Sequence, residues 1–291
     1  MQVKSNKIKD IRDHYLSRLK KIYPEQEAKK LLEILFEDLL GINRVEMLPG
    51  SRARLSESEM LTIHFAVRDL LRHRPVQHIT GKAEFFGLKI GVNKNVLIPR
   101  PETEELVAWI LSEADQKPGL RVLDIGTGSG AIALALKNER PEWEVLAMDN
   151  SGTALETARE NARENDLHIH FLQTDILDEI SRKNLSAFDI IVSNPPYVTE
   201  SDKNEMQPNV LEFEPAEALY VNNENPLKYY RAISDFAAKS LKRNGKLFFE
   251  INEKFGREMI QLLEDHGFVN IILRKDLRDR HRMIMGVMNT Q

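Results

Sequence analysis

The strongest chemical signal in this 291-residue chain is Asn194-Pro195-Pro196-Tyr197, which directly follows a buried-strand pattern at residues 190–193. The two prolines lack an N–H and have a fixed φ, so they give a rigid, extended segment with free carbonyl groups. Asn194 offers an amide carbonyl, Pro195 a backbone carbonyl and Tyr197 an aromatic face. Together these groups could hold a planar NH2 group. The alternative, a plain strand end followed by a loop, leaves this combination of features unexplained.

A second candidate site is the glycine turn Gly126-Thr127-Gly128-Ser129-Gly130, which lies between an apolar strand pattern and a helix pattern. Glycines let the backbone approach a ligand closely, and the N–H groups at the start of the next helix favour an anion such as a carboxylate. The dinucleotide fingerprint is Gly-x-Gly-x-x-Gly, so the Gly-x-Gly-x-Gly spacing here disfavours NAD. An ordinary tight turn is the alternative interpretation.

Two acidic residues, Asp149 and Asp175, follow the next two predicted strands. We expect both at the sheet edge that carries the glycine turn, because the carboxyl ends of parallel strands meet there. Asp149 could accept both hydroxyls of a ribose, or it could cap the following helix, although Asn150 and Ser151 are themselves good caps. Asp175 could reach an adenine amino group, and the sequence favours this role no more than that of an ordinary surface acid.

Alternating helix and strand patterns position these residues at one sheet edge. Between residues 102 and 265, predicted helices are interleaved with predicted strands, which indicates a parallel sheet. The strands are expected at residues 121–125, 145–148, 169–173, 188–193 and 245–251. Apolar runs at 269–274 and 283–287 predict a terminal antiparallel hairpin, and the polar stretch 198–225 is long enough to be a functional loop.

The N-terminal part has a helical pattern. Apolar residues recur at three- and four-residue steps up to about residue 72, which predicts a small helical bundle. Gly41 is expected to end its second helix, and the Ser56 to Glu59 pair to form a capping box that starts the third. Short apolar runs with glycines then predict a hairpin. The predicted domains are residues 1–74, a hairpin linker at 75–95, and residues 96–291.

Composition excludes several classes of protein. The chain has 45 acidic against 41 Lys and Arg residues and a net charge of −4, which argues against strong nonspecific nucleic-acid binding. It has no cysteine, which excludes disulfides and thiol chemistry, and its eight histidines lack metal-binding spacing, so no metal is expected. No apolar run approaches the ~18 residues of a membrane span, and the start lacks a signal-peptide pattern. The expected location is the cytoplasm.

These motifs resemble those of the N5-glutamine methyltransferases that modify peptide-chain release factors. The resemblance covers nearly the whole chain. The matching text includes Pro75-Val-Gln-His-Ile-Thr-Gly81, Val96-Leu-Ile-Pro-Arg-Pro-Glu-Thr-Glu104, Leu123-Asp-Ile-Gly-Thr-Gly-Ser-Gly-Ala-Ile132, Ser193-Asn-Pro-Pro-Tyr197 and Phe213-Glu-Pro-Ala-Glu-Ala-Leu219. The glycine turn alone indicates only a class I methyltransferase, and Asn-Pro-Pro-Tyr also occurs in enzymes that methylate adenine N6. Residues 98–104 narrow the family. Ribosomal-protein glutamine methyltransferases look similar but tend to have Ser-Pro where this chain has Pro101-Glu-Thr103, which favours a release factor as the substrate.

The resemblance implies an α/β fold: a class I methyltransferase domain with a Rossmann-like, seven-stranded, mostly parallel sheet and a C-terminal antiparallel hairpin, plus an N-terminal helical bundle that docks the substrate. It implies S-adenosylmethionine as the cofactor, S-adenosylhomocysteine as the product, and no metal. The residues implied to bind the cofactor are Gly126, Thr127, Gly128, Ser129 and Gly130 for the methionine part, Asp149 for the ribose, Asp175 with Ile176 for the adenine, and Asn194 beside the methyl group. The residues implied to hold the glutamine are Asn194, Pro195, Pro196 and Tyr197, of which Asn194, Pro195 and Tyr197 are the expected catalytic residues.

The implied reaction methylates the side-chain nitrogen (N5) of the glutamine in the Gly-Gly-Gln loop of class 1 release factors. An amide nitrogen is a poor nucleophile, so we expect catalysis by positioning. The Asn194 side-chain oxygen and the Pro195 carbonyl would accept the two amide hydrogens and stabilise positive charge on the nitrogen. Tyr197 would pack on the amide plane. We expect a monomer that binds neither nucleic acid nor membrane.

Two alternatives remain open at the level of sequence. One is an adenine-N6 nucleic-acid methyltransferase, which needs the same grip on a planar amino group. The other is a noncatalytic module that docks release factors or ribosomes. The roles of Arg100, Glu102 and Thr103 are equally open, because Glu102 or Thr103 could simply cap the next helix. Asn252 departs from the family pattern, which commonly has glycine at that position.

Overall fold

A computed structural model describes residues 3–47, 53–115, 117–180, 182, 185, 187–205 and 208–289. The chain divides into two compact units, one formed by Met1–Gly81 with Gln207–Phe213, the other by Lys82–Met206 with Glu214–Gln291. The expected limits at residues 74 and 95, and the roles attached to the three segments, stay predictions.

The described residues form both helices and strands. The helices are α1 Ile8–Leu19, α2 Glu25–Leu40, α3 Glu57–Leu70, α4 Val76–Thr80, α5 Pro101–Glu113, α6 Ala131–Glu139, α7 Gly152–Glu164, α8 Pro208–Phe213, α9 Ala216–Leu219, α10 Lys228–Ser240 and α11 Gly256–Asp265. The strands are β1 Lys82–Phe85, β2 Leu88–Gly91, β3 Arg121–Ile125, β4 Glu144–Asp149, β5 His170–Gln173, β6 Phe188–Ser193, β7 Val198–Thr199, β8 Tyr220–Val221, β9 Leu241–Glu250, β10 Phe268–Lys275 and β11 His281–Met288. Short 3-10 helices occupy Glu200–Glu205 and Glu253–Phe255.

The first unit contains the predicted helical bundle. Helices α1, α2 and α3 bury one apolar face each in a shared core that includes Tyr15 and Phe36. Gly41 ends α2 in the left-handed conformation with φ +67°, which glycine adopts without a steric penalty. Ser56 and Glu59 form the capping box at the start of α3. Both helix boundaries that the sequence predicted are therefore confirmed.

The second unit is built around a seven-stranded sheet with the order β10-β11-β9-β6-β3-β4-β5. Strands β9, β6, β3, β4 and β5 are parallel, whereas β11 runs antiparallel to both β9 and β10. This confirms the predicted mostly parallel sheet with an antiparallel C-terminal hairpin. The chain proceeds from β3 outward to β5 and then returns to β6 on the other side of β3. Ligands of such sheets bind at the carboxyl ends of the two strands where the order reverses, here β3 and β6.

Both faces of this sheet are covered by helices. Successive side chains of a strand point to opposite faces, so Val122 and Leu123 of β3 belong to different core clusters. Val122 lies in the cluster that includes Ile110 of α5 and Leu134 of α6. Leu123 lies in the cluster with residues of α10 and α11. The three-layer packing fixes β3 and its glycine turn from both sides.

Two connecting segments carry more structure than a plain link. Strands β1 and β2 form the predicted hairpin, and Phe85 and Ile90 are buried in the core of the second unit. The stretch 198–225, expected as a long loop, contains two helices, a 3-10 turn and the parallel pair β7–β8. The prediction missed these elements because each is short, and Val198 meets Tyr220 only through tertiary contact.

Candidate functional site

An open cavity lies at the carboxyl edge of the sheet in the second unit, with about 1180 Å³ of empty space including the part open to solvent. Its lining contains most of the residues singled out from the sequence. They are Gly126, Thr127, Gly128, Ser129, Asp149, Asp175, Ile176, Asn194, Pro195 and Pro196. Gly130 and Tyr197 are outside the lining. The structure therefore brings together residues from the ends of β3, β4, β5 and β6.

The glycine turn needs glycine for two different reasons. Gly126 and Gly128 have φ values of +72° and +56°, and a Cβ added at either would meet no atom within 4 Å. The positive φ favours glycine at both positions. Because glycine has no side chain, open space is left beside the cavity. Gly130 has φ +85°, and an added Cβ would come within 3.2 Å of Ala158 and Leu134. Gly130 thus serves the packing of α6 against α7.

Asp149 links the end of β4 to the glycine turn. Its Oδ2 accepts a 2.9 Å hydrogen bond from the Gly128 N–H, and its Oδ1 accepts one of 2.9 Å from the Ser151 N–H. Burial raises the pKa of Asp149, and these backbone hydrogen bonds act in the opposite direction. Ser151, whose Oγ accepts from the Ala154 N–H, is the residue that caps α7. Each Asp149 oxygen keeps further acceptor capacity.

The segment after β5 supplies the far wall of the cavity. Ile176 is buried, and Asp175 is exposed and accepts a 2.8 Å hydrogen bond from the Leu177 N–H. Tyr229 also lines the cavity. Burial raises its pKa, and the charge of Asp175 adds to this shift. An apolar side chain, an aromatic ring and a carboxylate are thus available at this end.

Asn194 and Pro195 present acceptor groups at the end of β6. The Asn194 Nδ2 donates to Thr103 Oγ1 at 3.3 Å, and within the described part of the chain nothing donates to Asn194 Oδ1 or to the Pro195 carbonyl. The end of β6 is tied to β3 by a 2.7 Å hydrogen bond from Ser193 Oγ to the Ile125 carbonyl. Two acceptor groups on consecutive residues therefore belong to a rigid segment that lines the cavity.

Tyr197 turns away from this lining into a buried hydrogen-bonded network. Its hydroxyl donates to Glu250 Oε1 at 3.0 Å, and Thr103 Oγ1 donates to Glu250 Oε2 at 2.6 Å. Burial raises the pKa of Glu250, while these two hydrogen bonds and the charge of Arg282 act in the opposite direction. Burial and the Glu250 charge both raise the pKa of Tyr197.

Sequence reasoning missed Glu250 and left Thr103 open. The signal for Glu250 was present, because one acid ends the buried apolar strand β9 after Phe248 and Phe249. Thr103 is not a helix cap, since the N-cap of α5 is Arg100 and no side chain caps that helix. Its hydroxyl instead faces the network described above.

Arg100 anchors another wall of the cavity. Its guanidinium pairs with the buried carboxylate of Glu214 at 2.6 Å, and Glu214 also accepts from the Ile98 N–H at 3.4 Å. Burial raises the pKa of Glu214, whereas the Arg100 charge lowers it. The pair fixes the start of α5 to the segment whose next residues, Pro215 and Glu217, line the cavity.

Basic residues at the tip of the β10–β11 hairpin form ion pairs. Lys275 pairs with Asp279 at 2.8 Å, and Arg278 pairs at 3.5 Å with Glu102, which does not line the cavity. Leu277 at the tip is 91% exposed. The charges at this exposed tip are therefore paired with one another or with nearby acids.

Neither a metal site nor a membrane span is found among the described residues. No group of three or more His, Asp or Glu residues among them could hold a metal ion. No helix in the described part of the chain is long and apolar enough to cross a membrane.

The sheet order and the cavity at the ends of β3 and β6 define the fold of a class I methyltransferase. The family model for the methyltransferase small domain matches residues 105–216, and the model for the PrmC N-terminal domain matches residues 10–81. A 16S rRNA methyltransferase of Thermus thermophilus, solved with AdoMet and guanosine, has the same fold. It superposes with a TM-score of 0.51 at 19% identity over 72% of this chain and 50% of its own.

Full-length relatives give the family. The release factor glutamine methyltransferase of Flavobacterium psychrophilum is 41% identical over 95% of this chain and 98% of its own length. The protein of the same name from Bacteroides thetaiotaomicron is 40% identical over 91% of this chain and 95% of its own. The chain belongs to the release factor glutamine methyltransferase family. The resemblance stated from the motifs is confirmed.

Proposed function

We propose that this protein transfers the methyl group of S-adenosylmethionine to the side-chain N5 of the glutamine in the Gly-Gly-Gln loop of class 1 release factors. The observation that carries the proposal is the pair of adjacent acceptors, Asn194 Oδ1 and the Pro195 carbonyl, in one cavity with the glycine turn. Membership of the family supports the substrate, since the relatives are named for glutamine methylation of release factors.

The cavity fits S-adenosylmethionine. The open space at Gly126 and Gly128 lets a ligand approach the backbone, and the N–H groups at the start of α6 suit a carboxylate. Asp149 has acceptor capacity left for two ribose hydroxyls, and Ile176 with Asp175 suits an adenine. We assign the cofactor contacts of the turn to residues 126–129, with Gly130 supporting them through helix packing. When bound, this cofactor supplies an electrophilic methyl group on a sulfonium sulfur.

Catalysis follows from positioning of the substrate amide. Asn194 Oδ1 and the Pro195 carbonyl accept the two N–H groups of the glutamine, so the nitrogen lone pair is directed at the methyl group for in-line attack. As the N–C bond formed and the sulfonium S–C bond broke, positive charge would pass to the nitrogen, and the Asn194 and Pro195 carbonyl dipoles would stabilise it without reorganising. The nitrogen then loses one proton to solvent, which restores a neutral N-methyl amide.

Tyr197 has a different role in this proposal from the one expected from sequence. It was expected to pack on the amide plane, but its ring is outside the cavity lining and its hydroxyl is bonded to Glu250. We assign it to holding the Asn-Pro-Pro segment in place. Asn194, Pro195 and Pro196 are the residues of the motif that contact the glutamine.

The first unit supplies the docking surface for the release factor in this proposal. Its match to the PrmC N-terminal domain model supports this assignment. The protein acts as a monomer in the cytoplasm, and the methyltransferase unit needs no metal for methyl transfer, because the leaving group is a neutral thioether.

The test is methyl transfer from labelled S-adenosylmethionine to a purified class 1 release factor, with an adenine-rich DNA as competitor. Label on the protein and none on the DNA is the expected result. Label on the DNA alone would support an adenine-N6 enzyme. Cofactor binding without any transfer would support a noncatalytic docking module.

A further inference from the structure

A chain of hydrogen bonds, buried at Thr103 and Glu250, joins Asn194 to Glu250. The Asn194 Nδ2 donates to Thr103 Oγ1 at 3.3 Å, and Thr103 Oγ1 donates to Glu250 Oε2 at 2.6 Å. Thr103 is 4% exposed and Glu250 is 1% exposed. The three residues come from the end of β6, the first turn of α5 and the end of β9, so only the folded unit brings them together.

Counting donors and acceptors fixes the direction of this chain. An ionised carboxylate can only accept hydrogen bonds, so Thr103 must give its single proton to Glu250. The Thr103 oxygen is then left only as an acceptor, and it must face the NH2 group of Asn194. The carbonyl of Asn194 therefore points to the opposite side. Shape does not select this orientation, because the oxygen and the nitrogen of an amide are nearly the same size.

We infer that Glu250 and Thr103 are positioning residues that fix the orientation of the Asn194 amide and keep its oxygen available to the substrate. The inference rests on the proposed function, in which that oxygen accepts a hydrogen from the glutamine NH2 group. An inverted Asn194 would place its own NH2 against the NH2 of the substrate, and the hydrogen bond from the glutamine to Asn194 Oδ1 would be lost.

The second carboxylate oxygen of Glu250 is hydrogen-bonded to the last residue of the Asn-Pro-Pro-Tyr motif. Tyr197 donates to Oε1 at 3.0 Å, so one carboxylate is bonded both to α5 and to the Asn-Pro-Pro-Tyr segment. The Tyr230 hydroxyl donates to the Glu250 backbone carbonyl at 2.9 Å and fixes the end of β9. Burial raises the pKa of Glu250, whereas the hydrogen bonds from Thr103 and Tyr197 and the charge of Arg282 favour its ionised form, which is the form that can only accept.

The test compares Thr103→Val, which removes the hydroxyl at nearly constant volume, with Thr103→Ser, which keeps it. We expect Thr103→Val to lower kcat by about 10- to 100-fold, as loss of one orienting hydrogen bond would. Thr103→Ser should stay within about threefold of the parent, on the same scale. The affinity for S-adenosylmethionine, measured by calorimetry, should change less than about twofold in both variants, because neither alters the glycine turn.

A double mutant separates positioning from a general structural effect. Glu250→Gln lets position 250 donate to Thr103, which allows Asn194 to invert, so it should also lower kcat. Because both substitutions act on the same amide, the double variant should lose no more than the worse single variant. Ser240→Ala is the matched control. It removes a buried hydroxyl that bonds the Leu185 carbonyl at 3.0 Å, outside the cavity lining, and it should leave kcat unchanged.

Asn194→Ala, assayed beside these variants, separates a failure of the proposed function from a failure of the positioning role of Thr103 and Glu250. If Asn194→Ala keeps turnover, Asn194 does not hold the substrate amide as proposed, and the positioning role of Thr103 and Glu250 is overturned as well. If Asn194→Ala loses turnover but Thr103→Val keeps it, or if the losses of the double variant add, only the inference is overturned. Thermal unfolding is followed for every variant, and Thr103→Ala replaces the valine variant if that protein does not fold.

Discussion

The Gly128 N–H donates a 2.9 Å hydrogen bond to Asp149 Oδ2, which joins the turn after β3 to the end of β4. The Ser151 N–H holds the other carboxylate oxygen. The same carboxylate that would bind the ribose hydroxyls thus also fixes the loop that would bind the methionine end. Two parts of the proposed cofactor site are therefore linked through one side chain.

This coupling predicts a loss of cofactor affinity in Asp149→Asn. The amide keeps one acceptor oxygen and replaces the other with a donor that opposes a backbone N–H. We expect Kd for S-adenosylmethionine to rise by about 10- to 100-fold, the worth of one hydrogen bond to a charged group. Calorimetry measures it. Glu144→Gln, at the opposite end of β4, is the control and should bind normally.

Gly128→Ala should weaken both stability and cofactor binding. Alanine at φ +56° costs about 1–2 kcal/mol of stability, and its methyl group enters the space beside the cavity. Gly119→Ala is the matched control, because Gly119 has φ +72° and no atom within 4 Å of an added Cβ, yet it is outside the lining. The midpoint temperature of thermal unfolding should fall by a similar amount in both variants. A parallel loss of cofactor affinity in Gly119→Ala would contradict the role given to Gly128.

Asn194→Ala should abolish turnover while sparing the cofactor site. In the proposed mechanism this side chain supplies one of the two acceptors for the substrate amide, so its loss should lower kcat by at least about 100-fold. Single-turnover methyl transfer and calorimetric binding are measured on the same preparation. Asn138→Ala, an exposed site on α6, is the control. An equal loss of turnover and cofactor binding would contradict the assignment of Asn194 to the substrate amide.

The protonation of Glu250 should limit activity on the acid side. Burial raises its pKa above the ordinary 4.5, with Glu102 adding to the shift and Thr103, Tyr197 and Arg282 opposing it. A protonated Glu250 can donate to Thr103, which frees Asn194 to invert, so kcat should fall as pH drops through this raised pKa. The pH profile of kcat at saturating substrates checks this. The fall in kcat at low pH should be smaller in Glu250→Gln. An unchanged fall in that variant would mean that another group causes it.

Asp124 should make stability fall as pH rises. Burial raises the pKa of this carboxyl to about 7 in the folded protein, against the ordinary value of 3.8 for an aspartate, although Thr127 donates to it at 2.6 Å. Between these two values the unfolded chain releases the proton and the folded chain keeps it, so stability decreases across that window.

Asp124→Asn removes this titration. Its stability relative to the parent should therefore increase from pH 4 to pH 7 by up to about 4 kcal/mol and stay constant above. Urea unfolding at several pH values gives the difference, in which the other titrating groups cancel. A difference that does not change with pH would contradict the shifted pKa of Asp124.

The sequence predicted most of the fold because its local patterns agree with the tertiary structure. Strands β3 and β6 are apolar runs that end in polar or glycine-rich text, and they lie at residues 121–125 and 188–193 as expected. The glycine turn and Asp149 could be placed at one sheet edge, because parallel strands present their carboxyl ends together.

The rest depends on contacts that no local pattern records. Thr103 and Glu250 are 147 positions apart, and only the pairing of α5 with the end of β9 brings them to 2.6 Å. The same network bonds the Tyr197 hydroxyl outside the cavity lining, although its place in the Asn-Pro-Pro-Tyr motif suggested that its ring packs on the substrate amide. A motif read along the chain identifies which residues gather, but the hydrogen bonds of Thr103 and Tyr197 to Glu250 join residues far apart in sequence.

The most direct test of the central claim is the position of the methyl group on the release factor. Mass spectrometry of a release factor incubated with this protein and S-adenosylmethionine should show one added methyl group on the glutamine of the Gly-Gly-Gln loop. A release factor with that glutamine changed to alanine should show none. A methyl group on any other residue, or equal labelling of the alanine form, would contradict the account.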